Sequence, residues 1–96
     1  MNKEVTIEAR KLILAYLKKR AEEKGITQLV ISEKMGKTQS NISRMFAGKY
    51  PPTLDNLIDL ANICECYVFV IDKNSDDDLC KIMKDRWNKA ERHGIN

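Results

Sequence analysis

The clearest local pattern in the chain lies in residues 27–49, TQLVISEKMGKTQSNISRMFAGK. It contains two short runs of helical periodicity, and each run opens with threonine followed by glutamine. The hydroxyl groups of Thr27 and Thr38 can accept hydrogen bonds from the free N–H groups of a first helical turn, so each threonine is expected to cap a helix. Gly36 lies between the runs, where a residue that tolerates positive φ ends a helix easily. The two predicted helices are 28–35 and 39–46.

The second of these helices is predicted to have one apolar and one polar face. The residues of both helices that are expected to point inward are Ile31, Met35, Ile42 and Met45. The outward face of the second helix carries Gln39, Ser40, Asn41, Ser43 and Arg44. Such side chains on a short exposed helix are suited to hydrogen bonding with base edges in the major groove of DNA. The stretch therefore predicts a helix-turn-helix.

The stretch resembles the phage lambda repressor and Cro family of helix-turn-helix domains, over roughly residues 7–64. The residues that carry the resemblance are Thr27-Gln28, Glu33-Lys34-Met35-Gly36, Gln39-Ser40, Ile42 and Phe46-Ala47-Gly48. The resemblance implies a mainly α fold, a bundle of four helices, and binding to double-stranded DNA. The residues that depart from the family pattern are Ser32, Lys37 and Ala47. The last departure suggests that phosphate contacts after the second helix come from Lys49, Tyr50 or backbone N–H groups.

The resemblance also implies roles for individual side chains. In this family, the glutamine at the position of Gln28 contacts a phosphate and braces the glutamine at the position of Gln39, which contacts adenine through two hydrogen bonds. Ser40 and Arg44 occupy further base-contacting positions, and an arginine there suits the guanine edge. The residues predicted to contact or brace the DNA backbone are Gln28, Lys37, Thr38, Asn41, Ser43, Lys49 and Tyr50.

The segments on either side of this stretch predict further helices. Residues 6–24 are predicted to form the first helix, ending at Gly25. Its predicted apolar stripe is Ala9, Leu12, Ile13, Tyr16 and Leu17. Thr53 follows two prolines and is expected to cap a fourth helix over residues 54–63. The predicted domains are a DNA-binding domain at 1–65 and a dimerising extension at 66–96.

The extension is predicted to contain one β-strand and one helix. Residues 66–72, CYVFVID, are rich in β-branched and aromatic side chains and favour a strand. The sequence offers no second convincing strand, so antiparallel pairing with a second molecule is the economical arrangement. A final helix is expected to begin near Ser75. The residues predicted to form a homodimer are Tyr67, Val68, Phe69, Val70, Ile71 and Trp87, although Trp87 packing on its own domain is an equally good interpretation.

Charge is distributed unevenly along the 96 residues, whose formal net charge is +3. Residues 27–53 carry four basic residues and one acidic residue, whereas residues 54–80 carry one basic residue and seven acidic ones. Positive charge around the second helix of the pair fits a polyanionic partner. The acidic segment is expected to face away from DNA or toward a second protein.

Composition and motifs argue against a membrane protein, a secreted protein or an enzyme. No apolar run approaches the roughly 20 residues of a membrane span, and acidic residues interrupt the N-terminus, so a cytoplasmic location is expected. Cys64, Cys66 and Cys80 are expected to be free thiols, and the one-residue spacing of the first two is unsuited to zinc. Neither a metal nor a cofactor is expected, and no catalytic group stands at a credible spacing from another.

Three functions remain open at this point. The first is a dimeric, sequence-specific transcriptional regulator, most simply a repressor that binds a palindromic operator. The second is the antitoxin of a toxin–antitoxin pair, in which the same helix binds operator DNA, and the acidic residues around 72–78 and the last helix hold a basic toxin. The third is a protein-interaction module without DNA binding, against which four intact residues argue: Gln28, Gln39, Ser40 and Arg44. Leu29 and Val30 are unusually apolar for their positions and pack on the first helix or meet another molecule.

Overall fold

Four α-helices follow one another in residues 3–74 of the computed structural model, which also describes residues 78, 81–82, 84–86 and 88–89. Their bounds are α1 Lys3–Glu23, α2 Gln28–Met35, α3 Gln39–Phe46 and α4 Leu54–Ile63. The mainly helical fold and the predicted bounds of α2, α3 and α4 are confirmed, and α1 begins at Lys3 rather than at residue 6. The described residues from 78 onward are helical. Ser75, Cys80 and Trp87, which carried predictions, lie outside the described residues.

Threonines define where three of the helices begin. Thr27, Thr38 and Thr53 each accept a hydrogen bond from the backbone N–H three residues further on, at 3.1–3.2 Å. Such a cap typically stabilises a helix by about 1 kcal/mol. Gly25 and Gly36 follow α1 and α2 in the left-handed conformation, with φ of 71° and 66°. Local residue chemistry therefore fixes the ends of the short helices, as predicted.

The chain divides into two compact units. Residues 10–68 form one unit, and the described residues of 1–9 and 69–96 form the other. In the first unit, one core is built from all four helices: Leu14, Leu17, Ala21, Ile31, Ile42, Met45, Phe46, Leu60, Ala61 and Cys64. Met35 packs at the edge of this core, so the inward orientation predicted for α2 and α3 is confirmed. In the second unit, Val5 is buried.

The prediction of the core-facing side of α1 was mostly wrong. Leu12, Ile13 and Tyr16 recur at helical spacing, yet all three are exposed, and Ala9 is half-buried. The buried residues of α1 between positions 10 and 23 are Leu14, Leu17 and Ala21. Both sets are spaced by three and four residues, so α1 carries two apolar stripes. Periodicity does not determine which stripe packs, and only Leu17 of the predicted set does so.

The β-strand predicted at residues 66–72 is not formed, and no strand is present in the described part of the chain. The segment has no regular secondary structure, and the side chains of Tyr67 and Val70 are 96% and 97% exposed. A strand exists only when its N–H and C=O groups pair with a neighbouring strand, which the described residues of this chain do not supply. Pairing of the segment with a second molecule stays a prediction.

Lys24, which directly follows α1, forms hydrogen bonds with the backbone just after α4. Lys24 Nζ donates to the backbone carbonyls of Cys64, at 3.0 Å, and Glu65, at 3.2 Å. Cys64 and Cys66 are free thiols, as predicted, and Cys64 is buried. Burial raises the pKa of the Cys64 thiol from 9.0 to about 11; Cys66 adds to the rise and Lys24 opposes it.

This raised pKa predicts a loss of stability in alkali. The unfolded chain loses the Cys64 proton above pH 9.0, whereas the folded chain keeps it until about pH 11. The free energy of unfolding is therefore expected to fall between those values, at up to about 1.4 kcal/mol per unit of pKa difference, and to be unaffected by this thiol below pH 9.0. Denaturant unfolding at several pH values, compared between wild type and Cys64→Ala, tests this. Equal slopes for the two proteins in the alkaline range would contradict it.

Candidate nucleic-acid interface

The face of α3 that is predicted to contact DNA is the side opposite the core. Ile42, Met45 and Phe46 are buried, which fixes the orientation of the helix in residues 10–68. The exposed side chains of α3 are Gln39, Ser40, Asn41, Ser43 and Arg44. Positions 39, 40, 43 and 44 follow the spacing that places residues on one side of a helix. The three predicted base-contacting side chains therefore share one exposed face.

A tight turn sets α3 against α2. Gly36 takes φ of 66°, and its N–H donates to the carbonyl of Glu33 at 3.3 Å. The N–H of Lys37 donates to the carbonyl of Ser32 at 2.9 Å, so the last carbonyls of α2 are satisfied inside the turn. Thr38 then caps α3. The chain turns within these three residues because glycine accepts the left-handed conformation without strain.

Ser32 shows how the structure accommodates a departure from the family pattern. It is only 4% exposed, and an unpaired hydroxyl in that position would be costly. Its Oγ donates to the carbonyl of Leu29, one turn back in α2, at 2.7 Å. The hydroxyl is therefore satisfied within its own helix, and the small side chain still fits under the turn.

The loop after α3, residues 47–50, is tied to two helices. Arg10 Nε of α1 donates to the carbonyl of Gly48 at 3.2 Å. Tyr50 Oη donates to the carbonyl of Asn41 in α3 at 3.4 Å. Lys49 lies between these two contacts and is exposed. The contact of Arg10 joins residues 38 positions apart, so sequence analysis, which relied on local spacing, gave no role to Arg10.

Two short helices joined at a left-handed glycine, the second with an exposed polar face, have the geometry that the family pattern predicts. The sequence profile of the helix-turn-helix family, of the XRE or lambda repressor-like type, matches residues 17–70, more than half of the chain. The chain belongs to the helix-turn-helix family. No curated protein and no solved structure is matched by it.

Membership confirms the predicted class of function. Proteins of this helix-turn-helix family are DNA-binding transcription regulators, so double-stranded DNA is a partner of this protein. In the described part of the chain, no group of three His, Cys, Asp or Glu side chains is placed to hold a metal ion. Among the described helices, none is long and apolar enough to cross a membrane.

Gln28 and Gln39, the two glutamines predicted to contact each other, each lie at the first position of a helix. Gln28 is the first residue of α2 and is half-buried, and Gln39 is the first residue of α3 and is exposed. In the part of the chain that the structure describes, neither side chain makes a hydrogen bond, so the bracing contact stays a prediction for the DNA complex. Both helix starts also carry free backbone N–H groups, which favour an anion such as a phosphate.

Three of the four basic residues in 27–53 are exposed to solvent. Lys34, Arg44 and Lys49 are exposed, and Lys37 is half-buried beside the turn. Leu29 and Val30, in the first turn of α2, are also partly open to solvent, with 49% and 37% of their residue surface exposed. Each residue is partly covered by its own chain and partly open to solvent, so contact of Leu29 and Val30 with another molecule stays a prediction.

Proposed function

We propose that this protein binds a specific palindromic DNA sequence as a homodimer and represses transcription there. The observation that carries the proposal is the exposed polar face of α3, formed by Gln39, Ser40, Ser43 and Arg44, on a helix whose other side is locked into the core. A fixed helix presents its side chains to the major groove at little entropic cost.

Base recognition is assigned to three residues of α3. Gln39 matches the donor and acceptor pair of an adenine edge, and Arg44 matches the two acceptors of guanine. Ser40, between them on the same face, has a hydroxyl that can pair with either kind of base edge. A recognition helix contacts bases mainly near its N-terminus, which is where Gln39 and Ser40 lie.

Contacts with phosphate are assigned to polar residues beside Gln39, Ser40 and Arg44. They set the position of the protein on the duplex without contributing sequence preference. The residues assigned to phosphate contacts or bracing are Gln28, Lys37, Thr38, Asn41, Ser43, Lys49 and Tyr50. Thr38 and Tyr50 already make hydrogen bonds to the backbone of α3, so their contribution to DNA binding is to hold that helix in position.

Dimerisation is assigned to the exposed segment that follows α4. Tyr67, Val68, Phe69 and Val70 expose large apolar side chains in sequence, which is unfavourable unless another molecule covers them. Antiparallel pairing of this segment with its copy creates a twofold axis. Two α3 helices would then enter successive major grooves about 34 Å apart on a palindromic site. The antitoxin alternative shares this DNA-binding arrangement and adds a toxin as a further partner.

Selection from a pool of random DNA duplexes tests the proposal. Wild type is expected to enrich a palindrome whose half-sites lie about one helical turn apart. Arg44→Lys keeps the charge but loses the paired hydrogen bonds, so it is expected to lose preference at one base pair per half-site, at a cost of about 1–3 kcal/mol. Gln39→Ala is expected to do the same at another base pair.

Lys49→Ala is the matched control for this selection. It removes a predicted phosphate contact, so it is expected to weaken binding to all sequences and to lower the salt slope by about one unit, with the enriched motif unchanged. If wild type enriches no motif and binds only weakly in a salt-dependent manner, base recognition by α3 is wrong. The interaction-module hypothesis would then be preferred.

A further inference from the structure

Arg10 contacts a backbone carbonyl at the edge of the proposed DNA-binding surface. Its Nε donates to the carbonyl of Gly48 at 3.2 Å, across 38 positions of sequence, in a partly buried setting. The charged donor makes this hydrogen bond stronger than one between neutral groups. Arg10 is the residue by which α1 holds the chain immediately after the recognition helix.

Gly48 is pressed against the same turn of α1. The residue is buried with φ of 68°, and a Cβ atom built there would lie 3.0 Å from Lys11 Cγ and 3.4 Å from Lys11 Cα. The nearer neighbour belongs to the side chain of Lys11, whereas the Lys11 Cα lies at an ordinary van der Waals distance. The loop therefore packs directly on α1 at Gly48, and the Arg10 hydrogen bond is part of this contact.

The other end of the loop is held by α3 itself. Tyr50 Oη donates to the carbonyl of Asn41 at 3.4 Å. Lys49 stands between the two attachments and is exposed to solvent. A lysine side chain is flexible, so the position of its backbone decides how often the ammonium group reaches a given phosphate. Fixing residues 48 and 50 fixes that backbone.

We infer that Arg10 is a positioning residue for DNA binding, which acts by holding Gly48 so that Lys49 is presented to the phosphate backbone. This inference rests on the proposed function, because it assigns Arg10 a role in the phosphate contacts of that complex. Arg10 exerts its effect through Lys49 and not by its own contact with DNA. The effects of losing the two residues are therefore coupled.

A double-mutant cycle on operator affinity tests this coupling. Arg10→Met keeps much of the length of the side chain but removes the donor, and Lys49→Ala removes the phosphate contact. Each single variant is expected to weaken binding to all sequences, without a change in the preferred motif. In the Lys49→Ala background, Arg10→Met is expected to change the affinity by less than about twofold, since independent sites are the ones whose effects add.

Two controls make the outcome decisive. Lys19→Met removes one positive charge from an exposed position of α1 and measures the effect of charge alone. Thermal unfolding of Arg10→Met establishes the temperature range in which the variant is folded, and binding is compared there. If the effects of Arg10→Met and Lys49→Ala multiply, or if Lys19→Met weakens binding as much as Arg10→Met does, the positioning role is wrong.

Hydrogen exchange separates this inference from the proposed function. Exchange of the Gly48 amide, which donates to the carbonyl of Met45 at 3.0 Å, is measured without DNA and is expected to be faster in Arg10→Met than in Lys19→Met, because the loop has lost one of its attachments. Unchanged exchange would overturn the positioning role even where DNA binding is confirmed. Failure of wild type to bind any DNA sequence would instead overturn the proposed function, and with it the purpose assigned to the contact.

Discussion

Replacing Ile42 by alanine is expected to lower the free energy of unfolding by roughly 2–5 kcal/mol. Ile42 lies in the middle of α3 and is 0% exposed, within the same core as Ile31 of α2 and Leu60 of α4. Truncation removes buried apolar surface and leaves a cavity among three helices, which the surrounding side chains fill only in part. A domain of this size has little stability in reserve, so a loss in this range unfolds a sizeable fraction of the protein.

Ser43→Ala is the matched control for Ile42→Ala. Ser43 is the next residue of the same helix, but it is exposed, so its truncation is expected to change stability by no more than about 0.5 kcal/mol. Thermal unfolding followed by circular dichroism measures both variants, with a shift of roughly 4–8 °C for each kcal/mol. A loss below about 1 kcal/mol for Ile42→Ala would show that the inner face of α3 is not what holds this helix in place.

The bounds of α2, α3 and α4 were predictable because local chemistry determines them. Thr27, Thr38 and Thr53 each bond a backbone N–H three residues away, and Gly36 adopts positive φ at the turn. These interactions depend on neighbours in sequence and not on the rest of the fold. The exposed face of α3 follows from the same register once Ile42 is placed in the core.

The core-facing side of α1 was not predictable in the same way. Leu12 and Tyr16 have helical spacing, as do Leu14 and Leu17, and the helix presents both pairs. Which pair is buried depends on the shape of the surface that α2, α3 and α4 together provide. That surface exists only in the assembled domain. The buried stripe of α1 therefore could not be predicted from the sequence of α1 alone.

Parts of the candidate site depend on contacts that are distant in sequence. Arg10 reaches the carbonyl of Gly48, and Tyr50 reaches the carbonyl of Asn41, and in each case the acceptor is a backbone atom. A backbone acceptor has no residue type that a sequence pattern can identify. The strand predicted at residues 66–72 is not formed in the single chain, because a sequence shows the propensity of a strand but not whether a partner strand is present.

Val70→Pro is expected to convert the proposed dimer into a monomer and to reduce operator affinity by a factor on the order of 10²–10⁴. Proline removes the backbone N–H that antiparallel pairing of the segment requires. Within one chain the substitution should be well tolerated, because the Val70 side chain is 97% exposed and its N–H has no backbone acceptor in the described part of the chain. The affinity falls because each half-site must then be bound without the help of the other.

Val70→Thr is the matched control, since threonine keeps both the β-branched shape and the backbone N–H. Sedimentation at several concentrations measures the oligomeric state, and binding to a palindrome and to its isolated half-site measures the affinity. Wild type and Val70→Thr should favour the palindrome, whereas Val70→Pro should bind the two DNAs with similar affinity. A dimer that survives Val70→Pro would show that twofold pairing uses another surface, of which the exposed stripe of Leu12, Ile13 and Tyr16 on α1 is the next candidate. If the wild type is monomeric in solution and still prefers the palindrome, the two molecules dimerise only when they are bound to DNA.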